Sequence, residues 1–158
     1  MGYAELHCHT NFSFLDGASH PEELVDEAAR LGLAALAVTD HNGFYGIVRF
    51  AVAAGSVGLP TVFGTELTLL DRSHLVVLAD GPVGHARLAR SISRGQLAGE
   101  KEAPRFDLTA LAEDARAAVH LTGNHARSTN DSWMVLTGCR QGAVPRALLA
   151  DGPAAARR

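Results

Sequence analysis

Short apolar runs alternate with segments of helical spacing along this sequence, and that alternation limits the fold more than any other feature. Between the runs, apolar side chains recur every three or four positions, and Ser19, Pro21 and Glu22 mark one helix start. The predicted strands are 3–8, 33–39, 61–69 and 74–79, and the predicted helices are 21–31, 46–54 and 83–97. Strands that alternate with helices predict an α/β fold with a mostly parallel sheet or barrel.

The pattern weakens after Gly95, and no position shows the change of composition that marks a domain boundary. The remaining predicted elements are an exposed loop at 96–104, a helix at 108–118, a strand at 135–137 and a helix at 144–149. Residues 120–133 have no clear period, and the tail 150–158 is expected to be disordered. Because 158 residues with 47% hydrophobic content suit a single core, we expect one domain over 1–158.

Charge and cysteine content narrow the class of protein. The net charge of −3 is not that of an autonomous nucleic-acid binder with a strongly basic surface. Residues 1–69 hold eight acidic and two basic side chains, whereas residues 70–158 hold nine acidic and twelve basic ones, so the first part suits cations and the second suits phosphate. Two distant cysteines, with no apolar run of about 18 residues, predict a cytoplasmic protein without a membrane partner.

Metal-binding side chains fall at the predicted strands. His7 and His9 end the first strand, His41 follows the second, Glu66 lies within the third and His74 begins the fourth. In a parallel α/β architecture the carboxyl ends of the strands lie together, so residues distant in sequence can converge there. In a strand, His7 and His9 would face the same side, with Cys8 facing the other.

Each of these residues also has an ordinary structural interpretation. The histidine pair is equally typical of a solvated loop, and a single histidine such as His41 is more often a hydrogen-bonded loop residue. Glu66 interrupts an apolar run, where an unpaired buried carboxylate is very unfavourable. It therefore needs a cation, several hydrogen-bond donors or a structural ion pair with an arginine.

Taken together, the candidate ligands favour a metal centre. Imidazoles and carboxylates without a dense cysteine set favour zinc, manganese or iron. With Asp16 and Asp40 the candidates number seven, which is too many for one ion. Two or more cations can hold a phosphate, generate hydroxide and stabilise the leaving oxygen, so the set predicts phosphoester hydrolysis.

Four motifs in order resemble those of the polymerase and histidinol phosphatase (PHP) domains found in bacterial DNA polymerase III alpha-type subunits. They are Glu5–Ser19, Ala37–Gly43, Gly64–Leu67 and His74–Ala79. Three later segments are most similar to error-prone polymerases of actinobacterial kind, namely 91–97, 99–106 and 136–140. The resemblance covers most of residues 3–112 and 133–149.

The resemblance implies a fold, a ligand set and an activity. The fold would be an incomplete, distorted (β/α)7 TIM-like barrel, and Glu66 would bridge two ions and act with Asp40 in catalysis. The implied cofactors are divalent ions in up to three sites, at least one of them incomplete because this chain stops before the family's final Asp-x-His pair. The implied metal ligands are His7, His9, Asp16, His41, Glu66, His74 and Cys139.

As a function, the resemblance implies a phosphoesterase module of an error-prone polymerase that acts in replication or repair synthesis, with 3′–5′ exonuclease chemistry. Its partners would be a DNA or nucleotide phosphoester and the remainder of the polymerase chain. The polymerase active site is absent from these residues. Two alternatives stay open: a catalytically silent, metal-stabilised structural domain, and a free-standing phosphatase resembling histidinol phosphatase. Arg87, Arg90 and Arg94 share roughly one helix face, which is more typical of a solvated surface than of a phosphate contact.

Overall fold

The computed structural model describes residues 2–116 and 133–157 of the chain. These residues form two compact units, Met1–Thr65 and Glu66–Arg158. The boundary between the units falls inside a strand. The apolar run there is uninterrupted and gives no signal of a domain boundary, which is why the sequence predicts one domain. Among the described residues, no helix has both the length and the apolar character needed to cross a membrane.

The first unit is a parallel sheet with two helices. Its elements are β1 (Ala4–Glu5), α1 (Pro21–Leu31), β2 (Ala35–Val38), α2 (Ile47–Val57) and the beginning of β3 (Thr61–Thr68). β1 pairs in parallel with β2, with Ala4 opposite Ala35, and β2 pairs in parallel with β3, with Leu36 opposite Thr61. Each crossover between strands contains one helix, as expected for parallel strands.

Local chemistry explains the bounds of α1 and the core that it helps to form. Pro21 occupies the first turn with Glu22 and Glu23, and Gly32 ends the helix in the left-handed conformation at φ 67°. The helix buries its apolar stripe against β2 and α2. The buried core of this unit consists of Val25, Ala28, Leu36, Val38, Phe50, Ala54 and Leu59.

The second unit begins within β3, and its described residues continue through a strand pair and four helices. Its further elements are β4 (His74–Ala79), α3 (Gly81–Ala98), α4 (Leu108–Arg116), β5 (Trp133–Leu136), α5 (Ala143–Asp151) and α6 (Pro153–Ala156). β3 and β4 are sheet neighbours, and β4 pairs antiparallel with β5, with Val76 opposite Leu136. The indole N–H of Trp133 donates to the Gly84 carbonyl at 3.0 Å, which ties β5 to α3.

The predicted α/β class is confirmed, and the differences from prediction lie at element ends. β1 is shorter than the predicted 3–8, because the His7 amide donates to its own neighbour Glu5 Oε1 at 3.0 Å instead of extending the strand. The tail expected to be disordered contains α6, since Pro153 fits the first turn and three alanines follow. Residues 117–118 of the predicted fourth helix, and nearly all of the segment without a clear period, lie outside the described residues.

Close packing of α3 against a buried ring generates a stability prediction. A methyl group at Gly95 would lie 2.1 Å from the ring of Phe106, whose side chain is 2% exposed and cannot swing away. At Gly55, inside α2, the same methyl group meets no atom within 4 Å. Gly95→Ala is therefore expected to lower the free energy of unfolding by about 1–3 kcal/mol, whereas Gly55→Ala is expected to raise it by up to about 1 kcal/mol.

Urea denaturation of both variants and the wild type checks this prediction. The Gly55 variant is the matched control, since it makes the same chemical change in another helix. Equal effects of the two substitutions would contradict the packing described for α3.

Candidate metal centre

The loop that follows β1 carries the first predicted ligands and is tied to the end of β2 by reciprocal hydrogen bonds. The Thr39 amide donates to the Cys8 carbonyl at 2.8 Å, and the Cys8 amide donates to Thr39 Oγ1 at 3.1 Å. Thr39 is fully buried. These bonds hold His7 and His9 beside the residues that follow β2, although neither histidine lies in a strand.

The carboxylate of Asp40 holds this loop in place by accepting hydrogen bonds from it. Its Oδ1 accepts hydrogen bonds from the Thr10 amide at 2.8 Å and the Ser13 hydroxyl at 2.7 Å, and its Oδ2 accepts from the Thr10 hydroxyl at 2.8 Å. Asp40 is only 2% exposed, and Thr10 and Ser13 are equally buried. A buried carboxylate requires such donors, because hydrogen bonding compensates for the lost hydration of its charge.

Ser13 links the carboxylate of Asp40 to the ring of His9 through hydrogen bonds. The hydroxyl has one proton, which it donates to Asp40, so its contacts with the His41 amide and with His9 Nδ1, both at 3.1 Å, use its lone pairs. His9 must then carry a proton on Nδ1. With that proton assigned, neutral His9 presents a lone pair at Nε2, which is the form in which an imidazole binds a cation.

Four predicted ligands of the first unit lie together. His7 Nε2 is 3.1 Å from His9 Nε2, and His41 Nε2 is 2.8 Å from Asp16 Oδ2. The rings of His9 and His41 have centroids 4.6 Å apart. One ligand atom from each of His9, Asp16 and His41 lies within 4.8 Å of the others.

Unusual backbone conformations shape the loop around these side chains. Leu15, next to Asp16, has φ 66°, and Asn42, next to His41, has φ 56°. Such left-handed conformations are uncommon outside glycine and concentrate at functional sites. A Cβ atom at Gly17 would lie 2.0 Å from the Thr10 carbonyl oxygen, so only glycine permits this closure of the loop.

The second unit contains the remaining predicted ligands. Glu66, on β3, is 3% exposed, and its Oε1 accepts a hydrogen bond from His74 Nδ1 at the beginning of β4. The His74 amide donates to the Gln141 carbonyl at 3.0 Å, which joins β4 to the turn that contains Cys139. Within the part of the chain that the structure describes, the exposed Cys139 belongs to no group of three ligand atoms.

Three hydroxyl side chains that the sequence did not single out support the predicted ligands. Thr10 and Ser13 bind Asp40, and Thr65 donates to the Asp40 carbonyl at 2.8 Å while accepting from the Gly43 amide at 3.2 Å. Sequence reasoning missed them because threonine and serine are common in loops. Their one signal is position, since two follow His9 closely and the third directly precedes Glu66.

The donor set of the first unit fits a divalent cation. Imidazole nitrogens and a carboxylate oxygen are ligands that zinc, manganese and iron accept. A cation held by these four side chains would replace the contact between His7 Nε2 and His9 Nε2 and the contact between His41 and Asp16. Cys8 is partly buried. Its burial, together with the charges of Glu5 and Asp40, raises the pKa of its thiol to about 11.

Comparison with known proteins yields one family and a consistent set of relatives. Residues 5–158 match the family model described as "PHP domain". Error-prone DNA polymerases from Mycobacterium tuberculosis and Cutibacterium acnes are 53% and 47% identical over 100% and 93% of this chain. The chain spans only 14% and 13% of the length of these two relatives.

One solved structure is informative. A protein from Bifidobacterium adolescentis, described as a metal-dependent phosphoesterase, superposes with a TM-score of 0.50 and 31% identity, covering 61% of this chain and 34% of that one. The predicted fold class, an incomplete TIM-like barrel of PHP type, is confirmed by this likeness.

The hydrogen bonds of Ser13 generate a stability prediction. Ser13→Ala removes a donor to the buried Asp40 and an acceptor for two N–H groups, so we expect the free energy of unfolding to fall by about 1–3 kcal/mol. Ser56→Ala is the control: Ser56 is exposed, donates to Ala53 at 2.6 Å and should change stability by less than about 0.5 kcal/mol.

Nitrogen-15 spectra of the imidazoles report the same change independently of stability. In metal-free wild type, the resonances of His9 should be those of a ring with its proton on Nδ1. In the Ser13 variant this preference should be lost, while Ser13→Thr, which restores a hydroxyl, should recover it. A His9 ring protonated on Nε2 in the wild type would contradict the hydrogen-bond assignment.

Proposed function

Because the chain belongs to the PHP domain family, we propose that it is a divalent-metal-dependent phosphoesterase module of an error-prone DNA polymerase. The observation that carries this proposal is the grouping of His9, Asp16 and His41, whose ligand atoms lie within 4.8 Å of one another in the first unit. Two imidazoles and a carboxylate at this spacing are a donor set for a divalent cation. The names of the relatives support the polymerase context, and the chain would be one part of such a polymerase.

The proposed ligands of the first unit are His7, His9, Asp16 and His41. A divalent cation held by them would supply Lewis-acid stabilisation of a phosphoryl group and make hydroxide available near neutral pH. The contribution of the chain is to present lone pairs in fixed directions. Ser13 orients His9 through its Nδ1 proton, and Asp40 in turn orients Ser13.

Glu66, His74 and Cys139 are proposed as further ligands. An ionised Glu66 only accepts hydrogen bonds, so its contact with His74 Nδ1 places the imidazole proton there and leaves a lone pair at His74 Nε2. A carboxylate behind a histidine ligand in this way fixes the tautomer and the orientation of the ring. The bridging of two ions by Glu66 stays a prediction.

Asp40 was predicted to take part in catalysis, and its contacts favour a positioning role instead. Three hydrogen bonds from Thr10 and Ser13 occupy its carboxylate, which is buried. We therefore propose that Asp40 acts through Ser13 on the orientation of His9. A direct catalytic role for Asp40 remains a prediction.

The proposed substrate is a phosphodiester at the 3′ end of DNA, and the proposed setting is replication or repair synthesis in the cytoplasm. Hydrolysis there would remove a nucleotide before further extension by the polymerase. The remainder of the polymerase chain is the proposed partner. A module that binds metal without turnover is the second candidate, favoured by the mutual contacts of His41 with Asp16 and of His74 with Glu66, which already satisfy these groups.

Metal analysis and hydrolysis assays on matched variants test the proposal. We expect wild-type protein to bind manganese or zinc by calorimetry and to release nucleotide from a 3′-recessed DNA. His41→Ala should weaken metal binding by about 100-fold or more. Loss of a direct ligand should cost at least as much affinity as loss of a residue that only contacts a ligand. His20→Asn is the control, because His20 is exposed at the start of α1, where asparagine is a favourable cap.

Two outcomes would contradict parts of this proposal. Metal binding without hydrolysis of either DNA or a small phosphomonoester would favour the silent module. Unchanged metal affinity in the His41 variant would refute the metal centre itself.

Alkylation of Cys139 tests its proposed role as a ligand. The chain has two cysteines, and Cys8→Ala leaves the exposed Cys139 as the single thiol. In metal-free protein, iodoacetamide should modify Cys139 readily because it is accessible. Saturating zinc should slow this modification by about tenfold or more, since a coordinated thiolate is withdrawn from attack. Mass spectrometry measures the rate, and an identical rate with and without zinc would remove Cys139 from the ligand set.

A further inference from the structure

We propose that the second unit carries an anion-binding pocket, formed by Arg72, Arg140 and Arg146, which takes a phosphate of a single-stranded DNA segment. The proposal rests on the proposed function, to which it adds a place where the substrate is held. The pocket has a volume of about 420 Å³, and its lining consists of Arg72, Arg140, Gln141, Arg146 and Leu149. This volume is in the range of sites that bind small ligands.

The charged residues that line the pocket are all positive. Its lining contains three arginines and one glutamine, and no carboxylate side chain is among the described lining residues. Guanidinium groups bind phosphate through paired, parallel N–H donors, which favours phosphate over a simple halide. The exposed Leu149 adds an apolar wall against which a sugar or base can pack.

Arg72 and Arg140 differ from several other arginines of the chain in their partners. Arg30 pairs with Glu27, Arg49 with Glu22, and Arg94, on the helix face noted in the sequence, with the buried Asp114. For Arg72 and Arg140, by contrast, the described residues provide no carboxylate partner. Their charges are therefore available to an external anion.

The turns that carry the pocket are well defined. The Arg72 amide donates to the Leu69 carbonyl at 2.8 Å, and Arg72 has φ 65°. The adjacent Asp71 carboxylate accepts the amide and the hydroxyl of Ser73, at 2.8 and 2.6 Å. These hydrogen bonds lower the pKa of Asp71, and the charge of Arg146 contributes to the same shift. Arg146 Nη1 donates to the Asp71 carbonyl at 3.3 Å, which holds this guanidinium in place.

Two residues that line the pocket are hydrogen-bonded to, or adjacent in sequence to, proposed metal ligands. Gln141 accepts the amide proton of His74 at 3.0 Å, and Arg140 directly follows Cys139. α5, which carries the lining residues Arg146 and Leu149, begins at Ala143 and has no acidic side chain in its first turn to oppose an anion. A strand with one phosphate in this pocket would therefore pass close to His74 and Cys139.

Binding of a fluorescein-labelled 12-nucleotide oligo(dT) to the full chain, measured by anisotropy in EDTA over a range of salt concentrations, tests the pocket. Arg72→Ala/Arg140→Ala should weaken binding roughly tenfold or more and reduce the slope of log affinity against log salt by about 0.7, the value for one phosphate that is no longer neutralised. Arg30→Ala/Arg116→Ala removes the same charge from other exposed positions and is the control. Inorganic phosphate, added to the wild type, should compete with the oligonucleotide.

Several results would overturn the proposal, and the melting temperature of each variant first establishes that it is folded. Equal losses of affinity in the two double variants would assign binding to net charge and not to the pocket. Unchanged affinity in the Arg72/Arg140 variant would also refute it, as would phosphate binding that is the same in variant and wild type. Because EDTA removes metal, failure of the metal centre leaves this measurement unaffected, and intact hydrolysis with unchanged DNA affinity would refute the pocket alone.

Discussion

The buried carboxylate of Asp40 is the interaction on which the candidate centre depends. Residues from the loop after β1 reach it through three hydrogen bonds from Thr10 and Ser13, and all three residues are almost fully excluded from solvent. A buried charge is tolerated only when donors surround it, so the loop and the end of β2 must close together. That closure brings His9 beside His41.

The hydroxyl proton of Ser13 links the position of the loop to the tautomer of His9. Since Ser13 donates it to Asp40, the remaining lone pairs of Ser13 accept from the His41 amide and from His9 Nδ1. The proton of His9 is therefore confined to the side of the ring away from His7. A cation bound by this loop would meet an imidazole that is already in its ligating tautomer, which reduces the reorganisation required on binding.

Much of the fold could be predicted from sequence because its signals are local. The bounds of α1 and β4 follow from a proline, a glycine and apolar spacing, and the structure reproduces both. The grouping of His9 and His41 could be anticipated from strand ends, yet its cause could not. Ser13 acts through contacts that join residues 27 positions apart, for which a single sequence offers no period or spacing. The shortening of β1 likewise results from a side chain, Glu5, capturing the amide that would have extended the strand.

The two units divide the chemistry in a way that the charges of the sequence anticipate. The acidic first part carries the imidazole and carboxylate group, and the more basic second part carries the arginine pocket beside His74.

An anomalous difference map from crystals soaked in manganese or zinc tests whether His9, Asp16 and His41 hold a cation. We expect a peak within bonding distance of these three side chains. Well-ordered crystals that show no peak there, or that bind the metal only at other positions, would contradict it.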